Sequence, residues 1–488
     1  MTALRDHLLK LVAAVAVASL LLGTAVPGMP RSRQAPIDPA LVPGDFALVA
    51  VAHGAAPRVA RVAQDAGATE TSTLDAIDIV TARVSTPALA ALRSDPAVRL
   101  IAADGGVSAS SRRKNVDVPG ENSVGVLAID AEKAWRSSTG RGVTVALLDT
   151  GIANHPALSG SVVASVDFVN DGAKLLDPGG HGTHLAGLIA GHSAEFRGVA
   201  PDAKLVSLRV LDAHGDGTVH GVLGAIDWTL KHRREFGIRV MNLSFGATQR
   251  TSYQSNILAA AAESVWFSGV VVVAAAGNDG PQDGTIGTPG ADPFVVTVGS
   301  LDDHGTVQAA DDRESSFSSR GPTLDGFAKP DVLAPGERVL SLRVRGSALD
   351  QSVPGVSIGT PPLYERMTGT SVSSAMVSGI AALVLADRSS YTPTQVKGAI
   401  VAGSRRVNGS QTPGADAAQA LTAHPDRVNV GLKPSRLLVE MLARNGVSIA
   451  SVSWEGISWE AVSWEAVSWE GVAWEGVNWE SVAWESHR

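Results

Sequence analysis

The 488-residue sequence contains no cysteine. That absence excludes a disulfide framework, a thiolate metal site and a cysteine nucleophile, and it is compatible with export. An excess of basic charge is missing too. The formal net charge is -8, and seven glutamates (Glu455, Glu460, Glu465, Glu470, Glu475, Glu480 and Glu485) lie in the last forty or so residues, leaving the remainder close to neutral. Nucleic-acid binding needs a basic face that releases counterions from phosphates, and none is readable here. No His-Glu-x-x-His frame occurs, so the usual zinc-hydrolase pattern is excluded. Hydrophobic residues nevertheless make up 44% of the chain, enough for one large core with a smaller satellite.

The apolar run from Leu11 to Leu22 is shorter than the ~20 residues a bilayer span prefers. It follows Arg5 and Lys10 and gives way to Gly23, Thr24, Ala25, Pro27 and Pro30. A basic start, a short apolar centre and small residues beyond it form the pattern of a secretory signal. Residues 1–30 are therefore expected to direct export to a secreted or cell-surface location, with an uncleaved membrane anchor as the alternative.

Residues 31–44, rich in Pro and Arg, read as a linker. From Asp45 the pattern predicts a β-α-β-α-β satellite: FALVAVA as a strand, PRVARVAQDAG as a helix, DAIDIVTARV as a strand, STPALAALRSD as a helix started by Ser85 and Thr86, and VRLIAA as a strand. Gly105 to Gly120, small and polar, reads as an exposed loop. From Val143 onward short continuous apolar strands alternate with longer helices, which predicts an α/β fold, a doubly wound parallel sheet covered on both faces. Ligands in such sheets sit beyond the carboxyl ends of the strands. Asp149, Ser244 and Asn278 each close a strand there. The last segment differs in kind: Trp454, Trp459, Trp464, Trp469, Trp474, Trp479 and Trp484 recur every five residues, each followed by Glu. A helix or flat strand cannot keep that repeat on one face, whereas a tight solenoid-like coil would. Packing on the rest of the chain, capture of a cell-surface partner or substrate, and disorder stay open for it.

Serine-based peptide hydrolysis needs a nucleophile, an imidazole base, a carboxylate that holds the imidazole, and donors for the tetrahedral oxyanion. Each has a candidate in a specific frame. LLDTGI puts Asp149 at a strand end, GGHGTHLAG puts His181 at a helix start after two glycines, TGTSVSSAMVSGIAALV puts Ser371 at the entry of an apolar helix, and AAAGNDG puts Asn278 after a buried strand. Taken singly, Asp149 and Ser371 could be ordinary helix caps, and His181 with His184 a metal pair.

Taken together, these four blocks resemble the signature segments of the subtilase family in the family's order of Asp, His, then Ser. The resemblance runs from near Ala134 to near Arg406 and includes SRGP and KPDVLAPG. It implies that Asp149 orients His181, that His181 rather than His184 is the general base, that Ser371 is the nucleophile of a serine-type endopeptidase, and that Asn278 pairs with the Ser371 backbone N–H as the oxyanion hole. It also implies that a substrate strand lies between Ser244, Phe245 and Gly246 on one edge and Gly215, Asp216 and Gly217 on the other. Ala275, Ala276 and Gly277 would wall the primary specificity pocket, with Gly290 near its floor and the bond before Pro289 cis. Where the family often has Met-Ala-Ser-Pro-His after its serine, this chain has Val372, Ser373, Ser374, Ala375 and Met376.

The satellite, residues 45–104, resembles the family's inhibitory propeptides, making the chain's own propeptide an expected partner beside protein or peptide substrates. Its tail is expected across the cleft until self-cleavage at a bond between Asp104 and Asn122 that the sequence does not fix, with a cut by another, basic-specific protease at SRRK, Ser111 to Lys114, as the alternative. The organisation read here is a signal over 1–30, a propeptide-like domain over 45–104, a catalytic domain over 122–420 and the repeat over 450–486. No cofactor is required by this chemistry. Structural calcium, as in family members, has Asp302, Asp303, Asp311 and Asp312 as candidate ligands, against the plainer reading of a solvated acidic loop. The other function class is a surface binding protein that keeps an inactive peptidase fold and works through its Trp-rich tail.

Overall fold

Runs of β-branched and small apolar residues become strands where neighbouring elements cover both their faces. In the computed structural model, which describes residues 34–110, 124–247, 250–352 and 363–442, the first such run is β1 (Phe46–Val51). It is followed by α1 (Ala56–Asp65), β2 (Thr69–Leu74), β3 (Ile79–Arg83), α2 (Thr86–Ser94) and β4 (Val98–Ala103). The strands form one sheet in the order β2-β3-β1-β4, with β1 antiparallel to both its neighbours. Side chains alternate across a strand, and β1 uses both faces. Ala47, Val49 and Val51 pack with Val59, Ala63 and Leu92 of the satellite's helices. Leu48 and Ala50 turn the other way, into the core of the larger unit.

Two expectations are corrected here. The satellite is β-α-β-β-α-β, because β2 (TETSTL) is an edge strand whose largely exposed polar side chains carry no apolar signal. Residues 106–109, expected in an exposed loop, form strand β5 (Gly106–Ala109). The linker, from residue 34 on, also packs on the satellite: the Ala35 N–H donates to the Arg93 carbonyl and Leu41 is buried. Ser85 caps α2 as expected, its side chain accepting the N–H of Ala88 at 3.2 Å.

The larger unit continues with α3 (Ala131–Ala134), β6 (Thr144–Asp149), β7 (Val162–Asp167), α4 (His181–Ala190), β8 (Lys204–Arg209), β9 (Asp216–Thr218), α5 (Val219–Phe236), β10 (Ile238–Leu243), β11 (Phe245–Ala247), α6 (Ile257–Phe267), β12 (Val271–Ala275) and β13 (Val296–Asp302). Beyond these come β14 (Arg313–Glu314), β15 (Val332–Pro335), β16 (Val339–Leu342), α7 (Ala348–Ser352), β17 (Tyr364–Met367), α8 (Thr370–Asp387), α9 (Pro393–Ala402), α10 (Ala417–Thr422) and α11 (Arg436–Leu442). The order β7-β8-β6-β10-β12-β13-β15 is parallel throughout, with β14 antiparallel to β13. From β6 the chain builds outward to one side through β8 and β7, and then to the other from β10. The switch point lies between β6 and β10, so a site is expected beyond their carboxyl ends. Helix α8 is buried from Thr370 to Leu385, which explains its near-continuous apolar composition.

The described chain stays packed beyond α10. Buried Glu263 of α6 accepts the Ser435 N–H at 2.8 and 2.9 Å and the Ser435 hydroxyl at 2.5 Å, holding the start of α11. Burial, together with neighbouring Asp292, pushes the Glu263 carboxyl well above its usual range. At the other end of α11 the Met441 carbonyl accepts the His53 N–H at 2.7 Å and the Glu440 carbonyl accepts from Arg99 at 2.8 Å, which ties the segment to the satellite. Glu263→Ala leaves the Ser435 N–H buried without its acceptor and is expected to cost about 1–3 kcal/mol. Glu263→Gln, keeping one acceptor oxygen, should cost less. Urea unfolding of the full chain carrying Ser371→Ala checks that order.

Candidate active site

Asp149, the last residue of β6, is 1% exposed. Its Oδ1 lies 2.6 Å from Nδ1 of His181, the first residue of α4. The same oxygen accepts the Thr150 N–H at 2.7 Å. Sequence reading missed the group that fixes this helix start, Asp177, which is wholly buried. One of its oxygens accepts the Gly180 N–H and the Thr150 hydroxyl, both at 2.7 Å. The other accepts the Thr183 N–H at 2.7 Å and the Thr183 hydroxyl at 2.6 Å. The frame DPGG ahead of HGTH was its signal, since an acid just before a helix satisfies the first free N–H groups and the positive end of the dipole. Gly182 lets two segments meet, because a side chain there would collide with the Gly151 carbonyl. The His181 pKa is raised. Burial is the largest single influence and lowers it, but the charge and hydrogen bond of Asp149, helped by the charge of Asp177, outweigh it.

Ser371 is the second residue of α8, and its hydroxyl donates to the Ser244 carbonyl at 3.0 Å. His181 Nε2 is buried and takes no hydrogen bond among the described residues. With residues 106–110 lying in the groove, the Ser371 hydroxyl therefore bonds to the Ser244 carbonyl and not to His181. Asn278 is anchored by its oxygen, which accepts the N–H and hydroxyl of Thr370 at 3.0 and 3.1 Å. That contact ties the Asn278 amide to the residue preceding Ser371. Behind the serine runs a buried chain that sequence reading also missed. Ser378 donates to Asn242 at 2.9 Å, the Asn242 amide donates to Ser244 at 2.5 Å, the Ser244 and Ser374 hydroxyls are 2.9 Å apart, and Ser374 donates to the Ser371 carbonyl at 2.9 Å.

Strand β5 fills the groove in front of these groups. It is the middle strand of a three-stranded antiparallel sheet, with Phe245, Gly246 and Ala247 of β11 on one side and Asp216, Gly217 and Thr218 of β9 on the other. The Ala109 N–H donates to the Gly215 carbonyl at 2.8 Å and the Ser110 N–H to the Ser244 carbonyl at 2.9 Å. The Ser110 carbonyl accepts the backbone N–H of Ser371 at 3.2 Å. Both sequence-predicted edges therefore touch one extended segment. Gly290 lies against the Ala275 carbonyl at the end of β12, and its own carbonyl accepts the Thr297 hydroxyl at 2.7 Å. Ala276 packs with Ile286 and Ala291, the Gly277 N–H donates to Thr370 Oγ1 at 3.2 Å, and the bond before Pro289 is cis.

The family model described as the subtilase family matches residues 140–421, more than half of the chain. The chain belongs to the subtilase family. It is similar to "Serine protease AprX" of Bacillus subtilis, with 41% identity over 268 residues, 53% of this chain and 60% of that protein. It is also similar to "Subtilisin-like protease 1" of Trichophyton rubrum, with 33% identity over 305 residues, 60% of this chain and 52% of that protein. Between half and two thirds of these relatives' lengths is thus spanned. Fervidolysin from Fervidobacterium pennivorans, described as a keratinolytic enzyme related to subtilisin, superposes with a TM-score of 0.63 over 81% of this chain and 64% of that one. At 23% identity that likeness shows the subtilisin-like fold.

Within this subtilase His184 is not a partner of His181 in a metal site. It is fully buried, its Nε2 is 3.2 Å from the Val339 carbonyl, and burial, with His181 adding to it, pushes its pKa down to about 3. The candidate calcium ligands are each engaged by a protein donor. Asp302 accepts from Arg338 at 2.8 Å, Asp303 accepts the Val124 N–H at 3.0 Å, Asp311 accepts from Thr306, and Asp312 accepts from Arg405 at 2.7 Å. Among the described residues no three His, Asp or Glu side chains are grouped to hold a metal ion.

Asp177→Ala would leave four buried donors without their acceptor at the start of α4. Losing that set is expected to cost on the order of 3 kcal/mol or more and to loosen His181. Thermal unfolding of the Ser371→Ala chain with and without the substitution measures the first effect. A stability change within about 0.5 kcal/mol, typical of a surface site, would contradict it.

Proposed function

We propose that the chain is an exported serine endopeptidase with Asp149, His181 and Ser371 as its triad, held inactive by its own N-terminal satellite and matured by cutting the bond that follows Ser110. The observation that carries this reading is the Ser110 carbonyl on the Ser371 N–H, at the end of a strand paired to both cleft edges. That contact puts the carbonyl on one of the two donors proposed for the oxyanion. Family membership and the relatives named as serine and subtilisin-like proteases support it.

The chemistry follows from the groups present. His181 Nε2 takes the proton of Ser371 Oγ as the oxygen bonds to the substrate carbonyl carbon, and the Ser371 N–H and the Asn278 amide nitrogen receive the resulting oxyanion. Asp149 holds the imidazole through Nδ1 and stabilises its cationic form. His181 then gives its proton to the leaving amine, whose bond to the carbonyl carbon breaks and leaves an acyl-serine. Water, deprotonated by the same imidazole, releases the acid and restores Ser371. The proposed export signal, residues 1–30, and the Trp-Glu repeat, residues 450–486, lie outside the described residues. For the repeat we propose contact with the chain itself or with a cell-surface partner. No observation favours the inactive-scaffold reading.

A fluorophosphonate probe is expected to label the purified chain but not Ser371→Ala. Intact mass and N-terminal sequencing should show the parent, and not that variant, beginning at Ser111. A folded parent that is neither labelled nor shortened would end the endopeptidase reading, and a different new N-terminus would end the Ser110 assignment. Asn278→Ala should lower turnover by about 10²–10³, as loss of this donor does in subtilisin.

The pH dependence has a fixed sign. His181 must be neutral to accept the proton, and its pKa lies above the ordinary 6.5. Activity should therefore rise with pH through a midpoint above 6.5 and fall away on the acid side. A kcat/KM profile whose acid limb lies below 6.5 would contradict the buried carboxylate arrangement.

A further inference from the structure

We propose that Asp216 reads the third residue on the acyl side of the cleaved bond and selects a hydrogen-bond donor or a cation there over an acidic side chain. The proposal rests on the endopeptidase reading and its register, in which Ser110 supplies the attacked carbonyl and Ala109, Ser108 and Val107 precede it.

Two residues stand directly across from Ser108, Gly246 of β11 and Asp216 of β9. Gly246 has no side chain, so Asp216 is the group across the sheet that can inspect this position. It does so in the structure, where the Ser108 hydroxyl donates to Asp216 Oδ1 at 2.8 Å. An ionised carboxylate only accepts, so a serine, threonine, lysine or arginine can satisfy it, while aspartate or glutamate meets like charge with no donor to offer. The backbone keeps Asp216 in position. Its N–H donates to Asp212 Oδ1 at 3.0 Å, which also accepts the His214 N–H at 2.7 Å, so a second carboxylate closes the same turn.

Side-chain alternation separates this reading from the next position. Val107 points the other way and is 1% exposed. Gly217 lies beside it, and a side chain there would crowd Val107 and strike the Val210 carbonyl. The cleft thus imposes apolar burial on the fourth residue and leaves the third to be decided by charge. Main-chain pairing supplies affinity without regard to sequence in such strand addition, and pockets for alternate side chains supply the choice.

The test uses the full chain, with self-shortening timed by intact mass. Ser108→Lys and Ser108→Glu are made with Asp216 present and again with Asp216→Lys, and the Lys-to-Glu rate ratio is compared within each pair, so that any general loss of activity cancels. With Asp216 the ratio should favour Lys by up to about fivefold, the upper end for one exposed charge pair. With Asp216→Lys it should fall below one. The matured enzyme should show the same reversal on fluorogenic peptides Val-Lys-Ala-Ser and Val-Glu-Ala-Ser. A ratio near one in both backgrounds, or one that Asp216→Lys leaves unchanged, would overturn the proposal while sparing the endopeptidase reading. Folded variants that all fail to shorten and fail to cut either peptide would remove both.

Discussion

Two carboxylates buried beside one imidazole set the terms for everything near the cleft. An ionised carboxylate out of water is tolerated only if nearly all its lone pairs are met by donors. Asp177 is met by two backbone N–H groups and two hydroxyls, which offset part of the burial that holds its pKa above the ordinary carboxylate value. Those donors are free because helix α4 begins where its first N–H groups have no partner of their own. The start of α4, the turn after β6 and the position of His181 are thus one hydrogen-bonded unit. Asp149 is met less completely, its Oδ2 taking no partner among the described residues. That imbalance suits a group whose proposed task is to stabilise a cationic imidazole next to it.

The same logic explains which parts of the site were legible in the sequence. Asp149, His181, Ser371 and Asn278 each sit at the end of a strand or the start of a helix within a short frame that is ambiguous singly, and it is the order of the four frames and their likeness to the subtilase segments that singles them out as candidates. Asp177 lay four residues before His181 but inside DPGG, which reads as a turn until the helix it caps is seen. The chain from Ser378 through Asn242 and Ser244 to Ser374 was hidden for another reason. It joins β10, the turn after it and α8, segments some 130 residues apart, and no spacing rule reaches across that distance.

In the fold, long apolar runs were read correctly because their burial is imposed from both faces. The elements that were missed draw their structure from partners. β2 is polar and survives as an edge beside β3. β5 has the composition of a loop and is a strand because β9 and β11 offer it unpaired edges. α11, short and beyond the region matched by the family, is fixed by the Glu263 carboxyl and by contacts with the satellite.

That dependence bears on how the satellite, in the proposed reading, could be both inhibitor and substrate. Strand pairing between β5 and the two edges is made by backbone groups, so any extended chain can form it. What distinguishes the satellite is the rest of its contact. β1 turns Leu48 and Ala50 into the core shared with the larger unit, and the Ala76 N–H is held by Asp227 of α5 at 2.9 Å. While the chain is continuous, these contacts hold residues 107–110 in the cleft at a high effective concentration. In the proposed reading, cutting after Ser110 breaks no contact in the satellite's sheet or its seam with the larger unit. It removes the covalent tether and leaves the fragment bound by its interface alone, so cleavage and release are separate events. Residues that face the cleft, such as Val107 and Ser108, then govern the first, and residues of the seam, such as Leu48 and Asp227, govern the second.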